Sequence, residues 1–127
     1  DVERIFSTAC AFAALKRDGS VVTWGSKEHG GDSSDVNRQL ANGVQHIYSM
    51  SRAFATFKDD GSVVTWGAAE LGGDSSKVQD QLSGGVHQIY TNKGACAAVK
   101  SDGSVVTWGH PKVGGDSSAV QGQLPAE

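Results

Sequence analysis

Four histidines and a few hydroxyl side chains are the residues of this sequence that could support catalysis or bind a metal. The histidines are His29, His46, His87 and His110. Zinc binding or proton transfer would require them to converge with carboxylates, but their places in the sequence are out of register with one another. Ser7, Ser49 and Thr91 have no Gly-x-Ser-x-Gly motif around them and no partnered base. We therefore predict a protein that is not an enzyme, with no catalytic residue, no metal site and no cofactor.

The cysteines and the Asp-Ser-Ser triplets offer other chemistry, for which a structural role is the simpler explanation. Cys10 and Cys96 are too few for a disulfide framework and form no Cys-x-x-Cys pair. Cys96 stands where Phe12 and Phe54 stand in equivalent segments, which predicts a buried and inert thiol. The triplets, the first of them at 32–34, lack the closely spaced carboxylates of a calcium loop. Capping of a short helix explains them without a ligand.

The charge balance excludes several classes of partner. The 127 residues include 11 Lys and Arg against 14 Asp and Glu, for a formal net charge of −3. Nucleic-acid binding by counterion release needs a basic stripe, and binding to a membrane surface needs a cluster of Lys and Arg. No apolar run approaches the ~20 residues that span a bilayer. We expect neither nucleic-acid binding nor membrane insertion, and the sequence leaves the cellular compartment open.

A repeat of 42 residues must position these side chains. Trp24, Trp66 and Trp108 are 42 residues apart, and each stands in the phrase Asp-Gly-Ser-Val-Val-Thr-Trp-Gly. The motif Gly-Gly-Asp-Ser-Ser also returns in every unit. Self-similarity at a fixed period is the signature of a repeat architecture. We predict a single repeat domain with units 1–42, 43–84 and 85–127.

Each unit is predicted to contain three β-strands. In the second unit the first extended segment covers 44–49, and a strand with apolar residues on both faces covers 53–58. The β-branched Ser-Val-Val-Thr-Trp segment forms the third strand. Between the second and third strands, an Asp-Gly pair supplies the positive φ of a tight hairpin turn. The structural glycines of these turns are Gly19, Gly61 and Gly103.

A short capped helix is predicted after each third strand. Ser76-x-x-Gln79 has the form of a capping box, and residues 118–121 repeat it in the third unit. So short a helix must dock on the sheet to be stable. Each tryptophan is expected to pack between neighbouring units, with its indole N–H bonded to a backbone carbonyl.

In the first unit the second and third strands read Ala-Leu-Lys-x-Asp-Gly-Ser-Val-Val-Thr-Trp-Gly, and a Val-x-x-Ile-Tyr-Ser segment precedes the equivalent strands of the second unit. These motifs resemble the repeat of the regulator of chromosome condensation family. Propeller-type β-lactamase inhibitory proteins carry a similar unit. The resemblance covers nearly the whole chain and implies β-propeller blades that form a platform for binding proteins. The Gly-Gly-Asp-Ser-Ser segment departs from the more common Gly-Gln-Leu-Gly type of loop.

Three units are too few to close a propeller, because propellers run from about four to eight blades. An open arc of three blades would expose two apolar blade faces. We therefore predict that two chains associate into a homodimeric ring of six blades, since blades can meet across chains as they do within one. One alternative is a monomer with internal threefold symmetry, of the β-trefoil kind. The other is that blades of a larger assembly fill the gap.

The predicted function is binding to other proteins. The loop after each tryptophan and the turn between the first two strands differ among the units, while the scaffold motifs Asp-Gly-Ser-Val-Val-Thr-Trp-Gly and Gly-Gly-Asp-Ser-Ser are constant. Repeat proteins use such loops as partner surfaces on a rigid frame. The alternative function is a carbohydrate-binding lectin with one site per repeat. The predicted partner-binding residues are Met50, Arg52, Glu70, Leu71, Pro111, Lys112 and Val113.

Overall fold

The structure is a computed structural model that describes residues 1–116, and it consists of three small antiparallel sheets. Each sheet contains three strands in sequence order. The first has β1 (Val2–Ser7), β2 (Ala11–Lys16) and β3 (Val21–Gly25), the second has β4 (Tyr48–Ser49), β5 (Ala53–Phe57) and β6 (Val63–Gly67), and the third has β7 (Val86–Thr91), β8 (Ala95–Lys100) and β9 (Val105–Gly109). The all-β prediction is confirmed. One sheet per unit is the arrangement of propeller blades, and a trefoil-like monomer is not confirmed.

The first strand of the second unit is shorter than predicted. Only Tyr48–Ser49 forms a strand, although an isolated bridge joins Val44 to Lys58. The hydroxyl of Thr56 donates a hydrogen bond to the carbonyl of His46. The other two units have alanine at the position of Thr56. A side-chain hydroxyl that bonds a nearby carbonyl competes with the strand ladder, and this accounts for the lost pairing.

The predicted Asp-Gly turns are confirmed. Gly61 has a φ of 82°, and the glycines of the other two turns are also in the left-handed region. Asp60 fixes the turn, because its Oδ1 accepts hydrogen bonds from the amide and the hydroxyl of Ser62. Asp18 and Asp102 make the same contacts with their own serines. The repeat therefore builds one turn three times.

The segment after each third strand forms short 3-10 turns where the sequence predicts an α-helical turn. In the second unit they cover Ala69–Leu71 and Ser76–Gln81. The predicted capping box is wrong. Oδ1 of Asp74 accepts the amide of Ser76, and the Gln79 amide group donates to the hydroxyl of Ser75. The helix predicted at 118–121 lies outside the described residues.

The core lies between the sheets. One cluster joins the first and second sheets and includes Leu15, Phe54 and Trp66. A second cluster joins the second and third sheets and includes Ile89 and Trp108. Each unit thus buries its apolar residues against its neighbours, as expected for stacked repeats.

Candidate interaction surface

Neighbouring units are joined by a tryptophan that bonds to the preceding unit. Nε1 of Trp66 donates to the carbonyl of Gly30, and Nε1 of Trp108 donates to the carbonyl of Gly72, both at 3.2 Å. Both tryptophans are buried, at 4 % and 5 % exposure. The predicted packing between units is confirmed for these two residues. Trp24 has no preceding unit in the described structure and is 44 % exposed.

We call the contact between two neighbouring units a joint; the first joint lies between the first and second units and the second joint between the second and third units. Backbone hydrogen bonds complete each joint at both ends of the strands. At the hairpin end, the amide of Val44 donates to Gly19 and that of Val86 donates to Gly61. At the opposite end, the amide of Ala9 donates to Ser51, and that of Ser51 donates to Lys93. Each bond joins a residue to its neighbour in the adjacent unit, so the joints repeat with the period of the sequence.

A glycine at each joint leaves space for a side chain. A Cβ on Gly30 would lie 2.7 Å from the ring of Phe54 in the second unit. A Cβ on Gly72 would lie 2.3 Å from the sulfur of Met50 and 3.6 Å from that of Cys96. Both glycines have a φ near 100°, which disfavours other residues. Phe54 fills the first joint, and Met50 with Cys96 fills the second.

The first unit exposes the face that the other two units bury. We call the sheet face turned towards the preceding unit the leading face. Phe12 is 44 % exposed there, whereas its equivalent Phe54 is fully buried. Ile5 is 57 % exposed, whereas Ile47 is 1 % exposed. The exposed apolar residues of this leading face are Val2, Ile5, Phe12, Val22 and Trp24.

Within residues 1–116, the third unit is open on its opposite face, the trailing face. Gly114 is exposed, although the equivalent Gly30 and Gly72 are buried. A pocket of about 230 Å³ lies here, with Tyr90, Asn92 and Gly114 in its lining. Large exposed apolar patches mark interaction sites, so the two ends of the array are the first candidate surfaces.

Loops of one strand end form a second candidate surface, where four of the predicted partner residues are exposed. These four are Arg52, Glu70, Pro111 and Lys112. Glu70 and Pro111 line one groove, between the second and third units. Leu71 and Val113 are half-buried and pack over Gly94, where a Cβ would lie 2.9 and 3.3 Å from their methyl groups. These two side chains have less surface for a partner than predicted.

Met50 is not available to a partner, and the prediction for this residue is wrong. It is 4 % exposed and packs in the core between the second and third units. The equivalent positions in the first and third units hold the polar residues Thr8 and Asn92. The physical reason for a methionine here is the small Cys96 opposite, which leaves space that a flexible side chain fills.

The chemically reactive side chains are separate from one another. Nδ1 of His29 bonds the Ser26 hydroxyl, and Nδ1 of His110 accepts the amide of Lys112. Burial lowers the pKa of His46 below its usual 6.5, and the nearby Arg4 lowers it further. Residues 1–116 contain no group of three or more His, Cys, Asp or Glu side chains that could hold a metal ion.

The thiols differ as predicted. Burial raises the pKa of the Cys96 thiol to about 12, and Cys10 is exposed. Because the thiolate is the reactive form, Cys96 is inert at neutral pH. Among the described residues, no helix is long and apolar enough to cross a membrane.

The tryptophans do not provide three equivalent platforms for sugars. The ring faces of Trp66 and Trp108 are buried in the joints, so only Trp24 presents an indole, and it stacks on Phe12 with 5.5 Å between ring centres. The residues that sequence reasoning missed are those at the open ends, above all Phe12 and Gly114. The sequence carries a signal for both, because Phe12 is equivalent to Phe54 and Gly114 is equivalent to Gly30 and Gly72.

Comparison with known proteins supports the same architecture. No protein-family model matches the sequence, and no curated protein matches it significantly. Among solved structures, the chain is similar to yeast RCC1 (Prp20) bound to Kap60, with 16 % identity and a TM-score of 0.58. It is also similar to human WBSCR16, with 19 % identity and a TM-score of 0.54. Each similarity covers 86 % of this chain but only 30 % and 33 % of those chains.

A second structure, of Prp20p from Saccharomyces cerevisiae, has 16 % identity and a TM-score of 0.57 over 86 % of this chain and 31 % of that one. This chain thus spans only about a third of the length of each of these solved chains. The chain therefore has an RCC1-like repeat fold, as the sequence motifs predict.

Proposed function

We propose that the chain is a non-catalytic protein-interaction or scaffold module. The observation that carries the proposal is the leading face of the first unit, where five large apolar side chains are exposed while their equivalents in the second and third units are buried. Exposure of apolar surface to water is unfavourable in free energy, and contact with another blade would remove that penalty. Interaction through blade faces is also consistent with the RCC1-like fold.

The ring is proposed to close by homodimerisation into six blades. The two ends of one array differ and are complementary, because Trp24 at one end is equivalent to the indole donors Trp66 and Trp108, and Gly114 at the other end is equivalent to the carbonyl acceptors Gly30 and Gly72. A second copy therefore supplies at each end the face that the array lacks. Two arrays of three blades fall within the range of known propellers, about four to eight blades.

The loop surface is the proposed site for a different protein partner. Arg52, Glu70, Pro111 and Lys112 are exposed there, and backbone bonds such as Ser51 to Lys93 hold the loops in fixed positions. A fixed backbone lowers the entropy lost on binding. The alternating charges and the exposed proline suit a partner surface of mixed character.

The absolute mass in solution tests the self-association. We expect light scattering behind a sizing column to give twice 13.2 kDa at micromolar concentration. A mass of 13.2 kDa at every concentration would overturn the homodimer. A mass well above twice that value would also overturn it, and would favour a larger assembly of blades.

A further inference from the structure

The closing joint has its own residues, and they match the first joint of the array more closely than the second. The first joint combines Thr8 of one unit with Phe54 of the next, whereas the second combines Met50 with Cys96. At the open ends the corresponding residues are Asn92 on the trailing face and Phe12 on the leading face. A small polar residue and a phenylalanine again stand at these two positions.

Asn92 reproduces the local contact of Thr8. The hydroxyl of Thr8 donates to the carbonyl of His29 at 2.7 Å, and Nδ2 of Asn92 donates to the carbonyl of Val113 at 2.6 Å. The two carbonyls occupy equivalent places, one residue before the glycine of the joint. Oδ1 of Asn92 also accepts the amides of Gly94 and Ala95, so the side chain is held in position.

Gly114 is left open as a result. A Cβ on Gly114 would have Asn92 Nδ2 at 3.7 Å as its nearest neighbour, whereas a Cβ on Gly30 would collide with the ring of Phe54. Among residues 1–116, no side chain fills above Gly114 the space that Phe54 fills at the first joint. On the leading face, Phe12 and Trp24 are already stacked, with ring centres 5.5 Å apart, as Phe54 and Trp66 are at 5.4 Å.

Backbone groups equivalent to those of the internal joints also lie at the two ends. The amides of Ala9 and Ser51 donate to the next unit, while the equivalent amide of Lys93 has no partner among residues 1–116. Val44 and Val86 donate to the turn glycine of the preceding unit, and Val2 and Gly103 hold these positions at the two ends. The ends therefore present the same set of donors and acceptors as the internal joints.

We propose that the trailing face of the third unit, built by Asn92 and Gly114, is the binding site for the Phe12–Trp24 pair of a second copy of this chain. This inference rests on the proposed self-association and specifies its contacts. The Phe12 ring of one copy occupies the space above Gly114 of the other, and Nε1 of Trp24 donates to the Gly114 carbonyl. The twofold axis of the dimer generates an identical second joint.

Exchange of residues between the two joint types tests this pairing. Asn92→Met should place a methionine over Gly114, as Met50 lies over Gly72, and exclude Phe12. Phe12→Cys should leave the space empty. We expect each single variant to raise the dimer dissociation constant by at least about tenfold, because Phe12→Cys removes the aromatic anchor and Asn92→Met blocks the space that the anchor occupies. The double variant recreates the Met50–Cys96 joint, and its constant should return to within about threefold of the original because the two residues are coupled.

The measurement is sedimentation equilibrium in reducing buffer, with Asn42→Met as the matched control. Asn42 is exposed in the segment between the first and second units, so its substitution should leave the dissociation constant unchanged. Trp24→Phe is an independent test, because it keeps an aromatic ring but removes the five-membered ring of the indole with its N–H donor, and it should weaken the dimer. Circular dichroism establishes that each variant is folded.

The outcomes separate this inference from the proposed self-association. If the unmodified chain remains a monomer at every concentration, both are overturned. If it dimerises but ignores the single substitutions, the dimer stands and this joint is overturned. If the losses simply add in the double variant, both faces contribute but Phe12 does not lie against Asn92 and Gly114, and the pairing is again overturned.

Discussion

The sulfur atoms of Cys96 and Met50 lie 3.3 Å apart across the joint between the second and third units. The first joint has Phe54 and Thr8 in the corresponding places. A small residue in one unit is therefore matched by a large one in the other, and the order is reversed between the two joints. This compensation keeps both joints filled, as the close packing of protein interiors requires.

Met50→Ala should destabilise the protein. Met50 is 4 % exposed in the second joint, and its removal leaves a cavity beside Gly72 and Cys96. Removing a buried methionine side chain costs about 2–5 kcal/mol, since the transfer free energy and the cavity both contribute. The free energy of unfolding from urea titration measures the loss. Arg52→Ala, at an exposed neighbouring position, is the control and should change it by less than about 0.5 kcal/mol. Equal effects of the two variants would contradict the core position of Met50.

Gly61→Val should also be destabilising, because of the backbone. Gly61 has a φ of 82°, and a Cβ there would lie 2.6 Å from the amide nitrogen of Gly85. Holding a β-branched residue in this conformation costs about 1–3 kcal/mol before the clash is added. Thermal unfolding should show a lower midpoint, whereas Lys112→Ala in an exposed loop should leave it nearly unchanged. A neutral Gly61→Val would mean that the turn is placed wrongly.

Thiol labelling should distinguish the two cysteines. Cys10 is exposed, while burial raises the pKa of the Cys96 thiol to about 12. We expect iodoacetamide at neutral pH to modify Cys10 in the native protein and to reach Cys96 only after denaturation. Peptide mass spectrometry locates the label. Rapid modification of native Cys96 would show that the second joint opens readily. Cys10→Ser is the control and should abolish native labelling.

Acid should weaken the three hairpin turns together. The hydroxyl and amide of Ser62 hold the pKa of Asp60 below its usual 3.8, and Asp18 and Asp102 are held low by Ser20 and Ser104 in the same way. Because the folded-state pKa is depressed, the stabilisation is present above pH 3.8 and is lost as the pH falls through the folded value. Urea midpoints measured from pH 5 downwards should decline in this range.

Ser62→Ala tests the origin of that decline. The substitution removes the hydroxyl donor, so the pKa of Asp60 should rise towards its usual value. The acid dependence of the urea midpoint should then be shallower than in the original protein. An unchanged dependence would show that the Ser62 hydroxyl does not contribute to it through Asp60. Ser83→Ala, at an exposed serine outside the turns, is the control and should leave the dependence as it was.

The period of the sequence was sufficient to predict much of the fold. It locates the second and third strands, the left-handed turn glycines and the tryptophans between units, because each of these depends on local residue types that recur unchanged. Side-chain hydrogen bonds to the backbone were harder to predict. Thr56 shortens β4 through one side-chain hydrogen bond, and Asp74 replaces the capping box with a turn to Ser76. Neither effect follows from hydrophobic periodicity.

The misplacement of Met50 has a similar origin. A methionine in a variable turn is read as a surface residue when each unit is considered alone. The burial of Met50 depends on a second position, 46 residues away. A methionine replaces the polar residue at position 50 where a cysteine replaces the phenylalanine at position 96. Met50 and Cys96 contact each other only where two units meet. The sequence of a single unit therefore does not predict that Met50 is buried.

The difference between the two ends of the array has a consequence for how mutations act on the assembly. In a closed dimer every chain contributes one leading face and one trailing face, so a single substitution is present in both joints. Once the first joint has formed, the second forms within one complex, at an effective concentration of millimolar order. Dissociation then requires both joints to open. A small loss of packing free energy at Phe12 or Asn92 therefore makes the free energy of dimerisation less favourable by about twice that amount.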